Sequence, residues 1–384
     1  MARYVSAFAS LIEPGTVVIG RDTRPSGPIF SVVANSVLQF MGFSVVDIGV
    51  AATPTVEIMV QELSASGGII ITASHNGPEW NALKFLGPGG EFFSAGVMEE
   101  LIKIAEEGTG VFEKIGEFGV VKNEEAADAI HIKNILELPV IDREKVSDLK
   151  IKVVVDCVNG AGSRIIPSML RSMNVDVIEL FTDIESPFPH NPEPTPANLK
   201  ELSETVKENK ADMGFACDPD ADRLVVCMGD GTILSEELTV ALATDFILSK
   251  RKGPVAVNVS TSSIMDYICS KHNVRLYRSK VGEAHVVELM KKVEAIIGGE
   301  GNGGVIYPEL HYGRDAMVGI ALILQFLADE GKALEEIIKD YPSFEIVKRK
   351  LEDDFTDEQI ETCLLYTSDA ADEGLGVDLG GRRI

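Results

Sequence analysis

Apolar residues in this chain gather into short unbroken runs, separated by stretches of helical period. Three runs stand out: TVVIGRD (16–22), IKVVVDC (151–157) and PVAVNVS (254–260). Each is rich in valine and continuous rather than alternating, the pattern of a strand covered on both faces. A helical stretch follows each, at roughly 28–42, 161–173 and 262–273. Second strands come next, FSVVDIG, VDVIEL and VRLYRSKVG, and second helices near 54–65, 195–209 and 284–294. The third strands are GGIIITA, DMGFAC and EAIIGG. Strands alternating with helices of about a dozen residues read as βαβ units. The pattern predicts three consecutive α/β units of similar plan, over 1–142, 143–250 and 251–343.

Length and charge narrow the picture. A chain of 384 residues exceeds one typical core. Its net charge of −25 argues against nucleic acid and anionic membranes as partners, and any phosphate site must gather its cations locally. The cysteines at 157, 217, 227, 269 and 363 show no C-x-x-C or zinc-type spacing, so reduced thiols in a cytoplasmic protein are expected. VGIALILQFL is too short to span a bilayer. MARYVSAFASL lacks a charged segment followed by a long apolar core, so no secretion signal is expected.

Chemistry-bearing residues follow each third strand. In the first unit they are Ser74, His75 and Asn76; in the second, DPDADR (218–223); in the third, GEGNGG (299–304). Strand ends facing a cleft are where α/β proteins place their sites, so the three loops are expected to converge on one ligand.

Each residue also has a plainer reading. Asp218, Asp220 and Asp222 stand at alternate positions, where side chains of an extended or looped backbone point the same way. Three oxygen donors there suit one hard cation such as Mg²⁺; the plainer reading is an acidic surface turn. No G-x-S-x-G surrounds Ser74, so it is not a hydrolase elbow, and it reads equally as a helix N-cap. His75 alone reads as structural, and Lys84, in ALKFL, as an edge-strand lysine facing solvent. Arg21 and Arg24 end the first strand and can clamp a phosphate, or Arg21 can pair with Asp22. Arg314 precedes an apolar helix that Asp315 can cap. Glu300 and Asn302 offer a carboxylate and an amide for sugar hydroxyls.

Together these motifs resemble the α-D-phosphohexomutase superfamily over about residues 1–350. TASHN with Lys84 resembles its phosphoserine loop, DPDADR its metal loop and GEGNGG its sugar loop. GEGNGG followed by VIYPELHYGRDA is most similar to the phosphoglucosamine mutases, with phosphoglucomutase/phosphomannomutase as the alternative. The resemblance implies mixed sheets around a central cleft and a phosphate carried on Ser74. Mg²⁺ would lie between that phosphate and Asp218, Asp220 and Asp222. A phosphorylated hexose would be converted through a hexose bisphosphate, moving phosphate between C6 and C1. Lys84 and His75 would be catalytic; Arg21, Arg223, Glu300, Asn302 and Arg314 would bind substrate.

The chain also departs from the family's pattern. Gly304 stands where some members close the sugar loop with histidine, and His285 would be the polar group that substitutes. A glycine- and arginine-bearing segment ahead of the first strand's helix is missing, so the chain reads as beginning late. No R-x-S-G-T-type phosphate loop occurs in 344–384, which reads as the remnant of a fourth unit; slow turnover is expected of such a chain. From Cys363, CLLYTSDAADEGLGVDLGGRRI resembles a translated sequencing adapter.

Two other function classes compete. An aspartate-based phosphotransferase would centre on Asp218 and Asp220 and leave Ser74 without a task. A non-catalytic sugar-binding protein would need no aspartate triad.

Overall fold

The computed structural model describes residues 1–108 and 118–342. Its first unit runs α1 (Ala2–Leu11), β1 (Thr16–Arg21), α2 (Gly27–Phe40), β2 (Ser44–Val50), α3 (Thr53–Glu62), β3 (Gly67–Ile71), β4 (Leu83–Leu86), α4 (Ala95–Glu107) and β5 (Val121–Asn123). Two helices, α5 (Ala127–Leu136) and α6 (Arg143–Asp148), lead onward. The second unit holds β6 (Lys152–Asp156), α7 (Gly162–Ser172), β7 (Asp176–Leu180), α8 (Lys200–Asn209), β8 (Met213–Cys217) and β9 (Leu224–Met228). Then come α9 (Glu237–Lys250), β10 (Val255–Asn258), α10 (Ile264–His272), β11 (Leu276–Ser279), α11 (Glu283–Val293), β12 (Ile297–Glu300), β13 (Gly304–Ile306), α12 (Ala316–Glu330) and α13 (Leu334–Lys339).

Three mixed sheets repeat one plan. Their orders are β4-β3-β1-β2-β5, β7-β6-β8-β9 and β11-β10-β12-β13. In each, the first strand lies parallel to the second and third, and the third is antiparallel to the strand that follows it. The apolar runs explain why: β3 and β8 are buried at every position, as strands with a layer on each face must be. The three loops leaving β3, β8 and β12 therefore occupy equivalent places.

Packing divides the chain differently from its repeats. The first sheet has its own cores, one with Phe8, Leu38 and Leu101, the other with Val56, Met59 and Val60 of α3. A single larger core runs from Val153 and Phe215 of the second sheet through α9 and α12 to Val255 and Ile297 of the third. A division after residue 250 assigns α9 to the second unit, but α9 packs against α10, α12 and β12. Asp315 caps α12 by accepting from Met317 N (2.7 Å) and Val318 N (3.1 Å), and Gly331 ends it in a left-handed conformation. Among the described residues no helix is long and apolar enough to cross a membrane, and the four cysteines are buried and form no disulfide. Cys363, the adapter-like tail and the expected fourth-unit remnant lie outside the described residues.

Candidate active site

The serine loop is built on a buried arginine. Arg24 pairs with Asp22 (Nε to Oδ2, 2.7 Å). Its remaining nitrogens donate to the carbonyls of Ser74 (2.8 Å), Gly77 (3.1 Å) and Trp80 (2.5 Å). Asp22 Oδ2 also accepts from Thr72 Oγ1 (2.7 Å), and that hydroxyl accepts from Ser74 N (2.9 Å). Phe188 of the second unit covers the guanidinium, its ring centroid 5.7 Å away. Ser74 itself sits in the left-handed region at φ 49°, and no helix starts after it, which removes the N-cap reading. The Asp22 pair is made with Arg24, not with Arg21.

DPDADR converges by a turn rather than by extended alternation. Ala221 is left-handed at φ 53°, and its N–H donates to Asp218 O (3.0 Å). The three aspartates are fully buried, and ligand oxygens from all three lie within 4.8 Å of one another. Asp218 Oδ2 accepts from Ser74 Oγ (2.7 Å). Asp220 Oδ2 accepts from Thr53 Oγ1 (2.6 Å) and Lys84 Nζ (2.7 Å). Asp222 Oδ2 lies 3.2 Å from Lys84 Nζ and 2.7 Å from Arg314 Nη2. The other oxygens of Asp220 and Asp222 are buried without a hydrogen bond. Orphaned hard oxygens beside one another are what a divalent cation of the Mg²⁺ class satisfies. An acidic surface turn is therefore not what the chain forms.

Lys84 is on edge strand β4, opposite Ile70 of β3, and points at the aspartates rather than at solvent. Burial would lower its ammonium, but Asp220 and Asp222 outweigh that and hold it above its ordinary value. Asp218 goes the other way: burial, then the charges of Asp222 and Asp220, push its carboxyl well above the usual carboxylate range. Burial opposes ionisation of Asp222 as well, yet Arg314 and Lys84 hold it below that range. His75 Nδ1 lies 3.4 Å from Ser74 Oγ; burial and the Arg223 charge bring its imidazole down to about 4.

The third unit meets the triad through Arg314. Its Nη2 reaches Asp222, its Nη1 Glu300 Oε2 (3.0 Å) and its Nε Glu283 Oε2 (2.9 Å). Glu300 Oε1 accepts from Asn258 Nδ2 (2.7 Å) and Gly282 N (3.1 Å). Asn302 Oδ1 accepts from Gly304 N (3.2 Å). Arg223 donates through its backbone to Asp218 Oδ1 (3.2 Å), while its buried Nε has no hydrogen-bond partner. A serine, a lysine, three aspartates and two arginines from three units thus share one site.

Residues 1–111, 129–231 and 235–344 match alpha/beta/alpha domains I, II and III of phosphoglucomutase/phosphomannomutase. The chain belongs to that family of phosphohexomutases. A probable phosphoglucosamine mutase of Methanopyrus kandleri is 35% identical over 348 residues, covering 90% of this chain and 76% of the relative. A phosphoglucomutase/phosphomannomutase of Thermococcus kodakarensis is 35% identical over 357 residues, with the same coverage. The crystal structure of a putative phosphomannomutase from Thermus thermophilus superposes with a TM-score of 0.80 at 26% identity, covering 88% of this chain and 78% of that one. Members of this family are isomerases that use a metal ion.

Not every expected residue reaches the site of this phosphohexomutase. Arg21 donates to Asp22 O (3.2 Å) and lines a separate cavity of about 660 Å³ with Asp47, Asn35 and Arg164. No residue of the serine or aspartate loop lines that cavity. The departure at Gly304 has a local cause: a Cβ there would overlap Arg314 Cδ and Cγ. His285 stands in the first turn of α11, beside Gly282, whose N–H holds Glu300. Thr53 and Glu283 were not foreseen. Neither carries a motif of its own: Thr53 meets Asp220 only across units, and Glu283 meets Arg314 only through the folding of the third unit.

Proposed function

We propose that this phosphohexomutase converts glucosamine 6-phosphate and glucosamine 1-phosphate into one another, with Ser74 as the phosphate carrier. The observation that carries the reading is Ser74 Oγ held 2.7 Å from Asp218 of another unit, beside a triad with orphaned oxygens. The phosphoserine O–P bond breaks as a sugar hydroxyl oxygen bonds to phosphorus, and the hydroxyl proton leaves. The resulting hexose bisphosphate reorients and returns its other phosphate to Ser74 Oγ. Asp218, Asp220 and Asp222 would hold Mg²⁺, which supplies charge neutralisation for phosphoryl transfer when bound.

The chain's own residues supply the remainder. Lys84, kept cationic by two aspartates, suits charge stabilisation of the phosphoryl group better than proton abstraction. His75, neutral at pH 7 and 3.4 Å from Ser74 Oγ, suits proton acceptance. Arg223, whose Nε lies 3.9 Å from Asp218 and 3.8 Å from Asp222 without a hydrogen bond, suits a phosphate oxygen. Glu300 and Asn302 would meet sugar hydroxyls, and the names of two relatives favour glucosamine over glucose or mannose.

The test is to incubate the chain with Mg²⁺ and a hexose 1,6-bisphosphate and map the phosphate by peptide mass. It is expected on the 72–84 peptide, and then to pass to glucosamine 6-phosphate faster than to the glucose or mannose analogues. Phosphate on Asp218 would replace the mutase scheme with an aspartate-based one.

A further inference from the structure

Helix α3 is buried along its whole first two turns, Thr53 to Val60. Within that run stand three polar residues at alternate positions, and each meets a different neighbour. Thr53 donates to Asp220. Thr55 Oγ1 is 2.9 Å from His131 Nδ1 of α5. Glu57 Oε2 is 3.0 Å from His311 Nδ1 of the third unit. The other nitrogens of both histidines converge on one oxygen, Asp315 Oδ2, at 2.9 Å from His131 and 3.2 Å from His311. All four titratable side chains are buried. Gly313 leaves the room this needs, because a Cβ there would overlap Glu57 Oε2.

Burying four titratable groups together is costly unless they pair with one another. The short segment it pins, 311 to 315, contains Arg314. His311 and Asp315 flank that arginine, and its fork reaches Asp222, Glu283 and Glu300. We propose that Glu57, His311, Asp315 and His131 form a positioning relay that clamps this segment onto α3 and so sets the Arg314 guanidinium against Asp222. Glu57 and His311 are positioning residues: they act through Arg314 and touch neither the serine nor the triad. Because α3 also holds Asp220 through Thr53, one helix fixes both the aspartate loop and the arginine that faces it. This inference rests on the cation-site reading for one of its consequences only.

The decisive measurement does not need the cation. The Arg314 Nε–H, bonded to Glu283, gives an ¹H–¹⁵N resonance assigned by its loss in Arg314→Met. In Glu57→Gln and His311→Gln that resonance is expected to shift or broaden while the fold, followed by circular dichroism, is retained. Asp315→Asn, which keeps an oxygen for the helix cap, is the second variant should either fail to fold. A second arm titrates Mg²⁺ calorimetrically. Glu57→Gln should change affinity about fivefold in the same direction as Arg314→Met, and the double variant should match Arg314→Met alone. An unmoved Arg314 resonance, or a Mg²⁺ effect that adds to that of Arg314→Met, overturns the relay. A native chain that binds no divalent cation refutes the cation-site reading instead and leaves the resonance to decide.

Discussion

Ser74 Oγ donates to Asp218 Oδ2 across the boundary between the first and second units, at 2.7 Å. The serine thus meets an aspartate whose ionised form is disfavoured, since burial and two like charges raise Asp218 well above the usual carboxylate range.

Asp218→Asn should therefore separate folding from cation binding. The amide keeps the oxygen that accepts from Asp222 N and Arg223 N (each 3.2 Å) and removes the carboxyl whose ionisation burial and two like charges oppose. The melting temperature in chelator should rise by about 3 °C. Mg²⁺ affinity should fall by at least about tenfold. Thermal melts with and without Mg²⁺ check both signs.

Lys84→Met should act in the opposite sense. It strips the shared partner from Asp220 and Asp222, leaving buried Asp220 without its ion pair while Asp222 keeps Arg314. A loss of about 3 kcal/mol in chelator is expected, because breaking a buried pair costs more than the pair is worth. Mg²⁺ should restore part of it. Urea denaturation in the two conditions gives the comparison.

Burial alone would lower His311, but its bonds to Asp315 and Glu57 outweigh this and carry it up to about 10. The native chain thus holds that proton more tightly than the unfolded one, whose histidine titrates near 6.5. The stabilisation is complete below about pH 6.5 and is lost as pH rises through about 10. Denaturation midpoints of the native chain should fall between pH 7 and pH 10.5 more steeply than those of His311→Gln. Equal slopes would remove the assignment.

Arg24→Lys keeps a charge for Asp22 but cannot span the carbonyls of Ser74, Gly77 and Trp80. A loss of about 3 kcal/mol is expected for those charged hydrogen bonds. Trp80, the chain's one tryptophan and 55% exposed, should report a looser loop by greater acrylamide quenching. Hydrogen exchange should quicken over 72–82.

The repeat of three units was legible because valine-rich runs and helical periods are local properties. DPDADR and Ser74 were legible because their chemistry is unusual at a strand end. Arg21 was misplaced because its residue type and position equal those of Arg24, and only the fold decides which guanidinium turns inward. Arg314 and Glu300 were legible as residues but not as a pair, and Glu283, Thr53 and Glu57 carried no signal in the chain. Their partners lie 31, 167 and 254 residues away, so tertiary contact alone defines them. Gly304 stood out in the sequence only as a departure and Gly313 not at all, whereas in the fold they leave the space that the Arg314 and Glu57 side chains fill.

The apolar core that passes unbroken from the second sheet to the third has a mechanical consequence. Those two sheets share one core, whereas the first sheet keeps separate cores and meets the others through Ala52 and α5 and through a set of polar contacts. These include Ser74 with Asp218, Lys84 with Asp220, Glu57 with His311 and Glu91 with Lys291. Such a seam is tightened by counter-charge and loosened by its removal, with little change in buried apolar area on either side. Withdrawing divalent cations should swell the particle, raising its radius of gyration in small-angle scattering while its circular dichroism stays unchanged. The body that carries the serine would then be the one that swings.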